Sequence, residues 1–79
     1  MVASLHSQKY EVFRHLLIQA RENANITQVE LAKKLNKPQS FISKYEGGER
    51  RLDFTEFMEI AHFLNIDVIK FIENYTSRY

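Results

Sequence analysis

Three times along the chain, a short side chain with an accepting oxygen stands just ahead of an amphipathic run, as at the start of a helix. Thr27 is followed by Glu30, Asp53 is followed by Glu56, and Asp67 opens the run that leads to Phe71. In the first two cases each side chain can satisfy an orphan backbone N–H at the other end of the first turn, the reciprocal pattern of a capping box. Apolar residues flank all three starts at staple positions: Ile26 with Leu31, Leu52 with Phe57, and Ile66 with Phe71. The single Pro and two Gly leave the runs between these starts uninterrupted, and no stretch reads as a strand. The chain is therefore expected to be all-α.

Residues 1–7 lack periodicity and are expected to form a flexible arm. From about Gln8 to Asn23, the apolar residues Tyr10, Phe13, Leu16, Leu17 and Ala20 fall on one helical face, with Glu11, Arg14, Gln19 and Glu22 outside it. Asn23-Ala24-Asn25 ends this helix, because Asn tolerates the left-handed conformation that helix C-termini use. A second helix runs from about Gln28 to Leu35, with Val29, Leu31, Ala32 and Leu35 as its apolar stripe. Asn36-Lys37 forms a turn, and a third helix spans about residues 38–46, its start left open between Pro38 and Gln39. One of Gly47 and Gly48 takes positive φ to end it. A fourth helix, about Phe54 to Leu64, stacks Phe54, Phe57, Met58, Ala61 and Leu64, with Asn65 as its stop. The fifth, from about Val68 to Tyr75, carries Val68, Ile69, Phe71, Ile72 and Tyr75 around much of its circumference. That surplus either fills a small core or meets a second subunit. In a chain of 79 residues, dimer burial is a useful supplement to a small core. The expectation is a compact five-helix bundle forming one domain over residues 1–79, with residues 68–79 as a possible dimer contact.

The third helix stands apart. Its apolar residues are few (Phe41, Ile42, Tyr45), and Gln39, Ser40, Ser43 and Lys44 are short polar or basic. Such a helix suits insertion into a DNA major groove. The same face also suits plain solvation, as polar helix faces generally do. Charge distribution bears on the choice more than the net value of +1. Residues 1–26 carry +1, residues 27–52 carry +3 and residues 53–79 carry −3. A basic middle and an acidic end would orient the molecule on a phosphate backbone.

Other chemistries find little support. Without Cys there is no disulfide or thiolate metal site, and His6, His15 and His62 are scattered without ligand spacing. Ser40 and Ser43 have no His–Asp partners. The GGER segment is followed by no Lys-Ser/Thr pair and so makes no phosphate loop. A chain of this length is too small to wall off a typical substrate pocket. No catalytic residue, metal or cofactor is expected. No apolar run approaches the roughly 18 residues of a membrane span. The start MVASLHSQKY lacks a basic segment followed by an apolar one. A cytoplasmic protein is expected.

The run TQVELAKKLNKPQSFISKYEGGERRLDFTEFMEIAHFLNID resembles the Cro/phage-repressor (Xre) helix-turn-helix family. The matching positions are Thr27, Gln28, Leu31, Ala32, Leu35, Ile42, Ser43, Glu46 and Gly48, and the likeness covers about residues 10–72. It implies a lambda-repressor-like fold and sequence-specific binding of double-stranded DNA. By the same resemblance the protein is a small transcriptional regulator, expected to be a repressor acting as a homodimer on an inverted repeat. Residue by residue, it implies that Gln39, Ser40 and Lys44 reach base edges, with Ser43 in the same groove. Gln28 and Lys37, together with Arg50 and Arg51, would hold phosphates. Arg21 and Glu46 match a pair that bridges the first helix to the end of the third. Two positions depart from the family pattern: Asn36 stands where Gly is usual, and Pro38 where a capping Ser or Thr often stands. Phe41 is left open, either inward in the core or against a thymine methyl or sugar. Alternatives of another class are an antitoxin or protein-interaction module, and a controller protein of a restriction-modification or mobile-element system.

Overall fold

A computed structural model describes residues 7–78. All but Ser7 of the expected arm lies outside the described residues, as does Tyr79. Five helices follow in order: α1 (Gln8–Asn23), α2 (Gln28–Leu35), α3 (Gln39–Glu46), α4 (Phe54–Phe63) and α5 (Val68–Ser77). Each capping signal acts as its sequence implies. Thr27 accepts from the Glu30 N–H at 3.1 Å while the Glu30 carboxylate accepts from the Thr27 N–H at 2.8 Å. Asp53 and Glu56 repeat this at 2.7 and 2.9 Å. Asp67 accepts from the Lys70 N–H at 3.1 Å. Ser7 does the same for α1, accepting from the Tyr10 N–H at 3.2 Å.

The first four helices end alike. Asn25, Asn36, Gly48 and Asn65 all have positive φ, at 59°, 57°, 83° and 55°. The residue after each donates its N–H to the carbonyl five positions back: Ile26 to Arg21, Lys37 to Ala32, Glu49 to Lys44 and Ile66 to Ala61. That bond is the wider one of a Schellman motif, which satisfies carbonyls left orphaned at a helix end. Asn serves at three of the four turns because it tolerates left-handed geometry. The fourth uses glycine, which takes φ 83° at no steric cost; a Cβ there would come within 3.4 Å of Arg14 Nε, in contact with that side chain.

Helix α1 packs on α3 and α5, and α2 packs on α3 and α4. Leu17, Leu31, Ile42 and Ile60 lose all solvent exposure where these elements meet, with Tyr45 beside them. Burying aliphatic side chains of this size stabilises by roughly 1.5–3 kcal/mol each. Below them lies an aromatic cluster. The Phe13 ring is 5.5 Å from both Tyr10 and Phe57 and 5.9 Å from Phe71, and Phe57 and Phe71 are 5.1 Å apart. Tilted and edge-on pairs at these distances add about 0.5–1.5 kcal/mol each beyond area burial.

Three expected faces are corrected. On α4 the buried set is Phe57, Ile60 and Ala61, continuing to Leu64, whereas Phe54 is 72% exposed and Met58 is also exposed. Spacing of three, four and seven from Phe57 gives one stripe; Met58 sits one step around the helix from it, and Phe54, although in line with Ala61, is the first residue of α4 and lies at its exposed end. On α2, Val29 is exposed, and Leu31 and Ala32 make the contact with Leu35 half-buried. Arg14, expected outside α1, is half-buried against Gly48. Smaller shifts occur at the ends. Helix α4 stops at Phe63 rather than Leu64, and α5 runs to Ser77 rather than Tyr75.

Candidate nucleic-acid interface

Helices α2 and α3 are joined by three residues, Asn36, Lys37 and Pro38. Pro38 is the N-cap and Gln39 the first helical residue, which settles the start of α3. Pro38 offers no side-chain cap, and its carbonyl instead accepts from the Phe41 N–H at 3.0 Å. Ile42, Tyr45 and Glu46 then face inward and are buried. Gln39, Ser40, Ser43 and Lys44 consequently share the outer face, and all four are exposed. The Ser43 hydroxyl donates back to the Ser40 carbonyl at 3.3 Å. The fold thus brings the four expected base-reading residues onto one open surface.

Behind that surface lies a hydrogen-bonded relay. The Glu46 carboxylate takes Arg21 through two contacts, Nε to Oε2 at 2.7 Å and Nη2 to Oε1 at 3.0 Å. Arg21 also donates to the Ile26 carbonyl at 2.9 Å. Proximity to the carboxylate raises the guanidinium above its ordinary pKa, against the opposing effect of burial. Glu46 Oε1 also accepts from Gln28 Nε2 at 2.9 Å. Gln28 Oε1 in turn accepts from Gln39 Nε2 at 3.3 Å. Gln28, expected at a phosphate, therefore stands between a buried carboxylate and the first residue of α3.

The loop after α3 carries its cations over aromatic rings. Arg50 Cζ lies 4.7 Å from the Phe41 centroid and Lys37 Nζ lies 5.2 Å from it. Phe41 is half-buried, packs against the core and meets the Tyr45 ring edge-on at 5.8 Å. Its open orientation resolves inward, beneath two cations. Arg50 also holds Glu56 through two bonds, of 3.0 and 2.9 Å. This pair raises the Arg50 pKa and lowers that of Glu56, whose carboxylate also accepts the Asp53 N–H. Arg51 stacks on Tyr10 at 4.6 Å.

Two residues that shape this surface carry no signal in the sequence. Arg14 donates to the Glu46 carbonyl at the C-terminus of α3. The Tyr10 hydroxyl donates to the Arg50 carbonyl at 3.2 Å and accepts from the Leu52 N–H at 3.1 Å. Both seat α3 and its following loop on α1. No local pattern announces them, because their partners lie 32 to 42 positions away. Elsewhere, a hollow of about 390 Å³ lies between the end of α1 and the start of α5, with no α2 or α3 residue in its walls. No helix among the described residues is long and apolar enough to cross a membrane.

Comparison with known proteins agrees with this geometry. A family model described as helix-turn-helix matches residues 17–71. A solved XRE-family like protein from Pseudomonas syringae pv. tomato str. DC3000 is 42% identical, with a TM-score of 0.84 over 91% of this chain and 88% of that one. No curated protein matches the chain. With α2 and α3 as its helix-turn-helix and a lambda-repressor-like all-α fold around them, the chain belongs to the XRE family of helix-turn-helix DNA-binding transcription regulators.

Proposed function

We propose that the protein is a small cytoplasmic repressor that binds double-stranded operator DNA sequence-specifically as a homodimer, by binding alone and without catalysis. The single observation that carries this reading is the composition of the exposed α3 face, where Gln39, Ser40, Ser43 and Lys44 stand together. Side chains of these types pair with base edges in the major groove: Gln with adenine, Lys with guanine, and Ser with either. Lys37 and Arg51 flank that face as phosphate contacts. Gln28 contributes from the N-terminus of α2, where backbone N–H groups favour an anion. Arg50, already tied to Glu56, makes the weaker phosphate contact.

The dimer rests on α5, where Ile69 is 66% and Ile72 49% exposed. Exposed large aliphatics on one short helix favour burial against a second copy. Two α3 helices about 34 Å apart would then read successive major-groove faces of an inverted repeat. Selection of bound sites from a random duplex library, followed by gel shifts at increasing salt, tests the whole reading. A palindromic motif and affinity falling steeply with salt are expected. Binding without sequence preference would overturn it.

A further inference from the structure

Between α3 and α4 no helix holds the chain, yet the backbone around Arg51 is tied down. The Arg50 carbonyl accepts from the Tyr10 hydroxyl at 3.2 Å, and the Leu52 N–H donates to the same oxygen at 3.1 Å. A phenol oxygen can donate and accept at once, so one atom closes peptide groups on either side of Arg51. The Arg51 carbonyl accepts from the Arg50 guanidinium at 3.0 Å. The Arg51 side chain is held too, with its guanidinium carbon 4.6 Å from the centroid of the same Tyr10 ring. That ring is firmly seated. Tyr10 is 8% exposed and packs at 5.5 Å on Phe13, which joins Phe57 and Phe71 in the aromatic cluster. Stacking on a ring uses the face of a guanidinium, whereas a phosphate is recognised by its edge, so the two are compatible.

We propose that Tyr10 is a positioning residue for DNA binding: it holds Arg51, backbone and side chain together, ready to meet a DNA phosphate. This rests on the reading of Arg51 as a phosphate contact. An arginine on a loose loop gives up its rotamer freedom when it binds, whereas Arg51 has given up much of it on folding. Tyr10 is buried and its hydroxyl is engaged twice, so it acts through Arg51. Its effect is on how tightly any duplex is held, because phosphates carry no sequence.

Binding of a random-sequence duplex across a salt series, followed by fluorescence anisotropy, tests the inference. The proteins are the full chain, Tyr10→Phe, Arg51→Ala and the double variant. Tyr10→Phe keeps the ring against Phe13 and removes both hydroxyl bonds, so the Leu52 amide should lose protection from hydrogen exchange. Binding should weaken roughly two- to tenfold, the scale of ordering one long side chain. The slope of log affinity against log salt should stay as in wild type, since Arg51 still reaches its phosphate. Arg51→Ala should flatten that slope by about one. In the double variant Tyr10→Phe should cost nothing further, as one residue acting through another requires. Equal weakening with and without Arg51 would overturn the inference, because Tyr10 would then only seat α3 on α1. Wild-type affinity in Tyr10→Phe would sink it as well, and so would unchanged protection at Leu52. A Tyr10→Phe chain that no longer melts cooperatively would show the phenol to be holding the fold rather than Arg51. If Arg51→Ala binds as wild type does at every salt concentration, the phosphate reading fails first and the inference falls with it.

Discussion

Glu46 gathers more of the structure than any other single side chain on α3. It is buried, accepts from Arg21 and Gln28, and its carbonyl receives Arg14. Glu46→Ala should cost about 3 kcal/mol, read by urea unfolding, because it leaves a guanidinium that is only 13% exposed without its counter-charge. The Arg50–Glu56 pair is similarly close at 2.9 Å but has Arg50 41% exposed. Solvent screening reduces its worth, and Arg50→Ala should cost no more than about 1 kcal/mol. Exposure, rather than distance, ranks the two pairs. At the rim of the interface, Lys37→Ala should weaken binding to all duplexes alike and flatten the slope of log affinity against log salt by about one. A change in site preference instead would show that Lys37 reaches a base.

Among the elements, the turns are as telling as the helices. Thr27→Ala removes one arm of the α2 capping box and should cost about 1 kcal/mol by thermal or chemical denaturation. Asn36→Ala places a less tolerant residue at φ 57° and should cost about 1 kcal/mol, loosening the join between α2 and α3. These local devices are legible in the sequence, since Thr27 meets Glu30 and Asp53 meets Glu56 within three residues. The rotation of α4 is not. Phe54 and Met58 are as apolar as Phe57 and Ile60, and only the packing of α4 on α2, with Phe57 against Phe13 and Phe71, decides which pair is covered. At the interface, residue types and helical spacing place Gln39, Ser40, Ser43 and Lys44 on one face, a consequence of periodicity alone. The link from Gln39 to Gln28 and on to Glu46 spans 11 and then 18 positions, so no local pattern holds it. The Arg21–Glu46 pair is reached only through family resemblance, and Arg14 and Tyr10 by neither route.

For the whole molecule, charge and pH act together. Glu30, Asp53 and Glu56 all have pKa values below the ordinary carboxylate range. Glu30 and Asp53 are lowered chiefly by the backbone N–H groups they cap, and Glu56 chiefly by Arg50. Since the folded values lie below the unfolded ones, their stabilisation is fully present above the unfolded values. It is lost as pH falls through the folded values. The melting temperature should therefore hold steady near neutrality and fall once pH drops below about 4.5, and the α2 and α4 starts should lose amide protection early. Residues 27–52 carry +3 while residues 53–79 carry −3, so a field along the molecule would turn α3 toward a phosphate backbone. The proposed homodimer is tested at this scale. Ile69→Lys should yield monomer in sedimentation at concentrations where wild type is dimeric, with helical content unchanged. Wild type that sediments only as monomer would remove α5 as a dimer contact.

Tyr45 gives the molecule an optical probe of its own. The chain has four tyrosines and no tryptophan, and the Tyr45 hydroxyl is buried on α3 with no hydrogen-bond partner among the described residues. Burial raises its pKa far above that of a free phenol. In an alkaline titration followed by ultraviolet absorbance, the Tyr45 tyrosinate should form only when α3 lifts from the core. That signal would report the seating of α3 without any added label, and bound DNA should delay it.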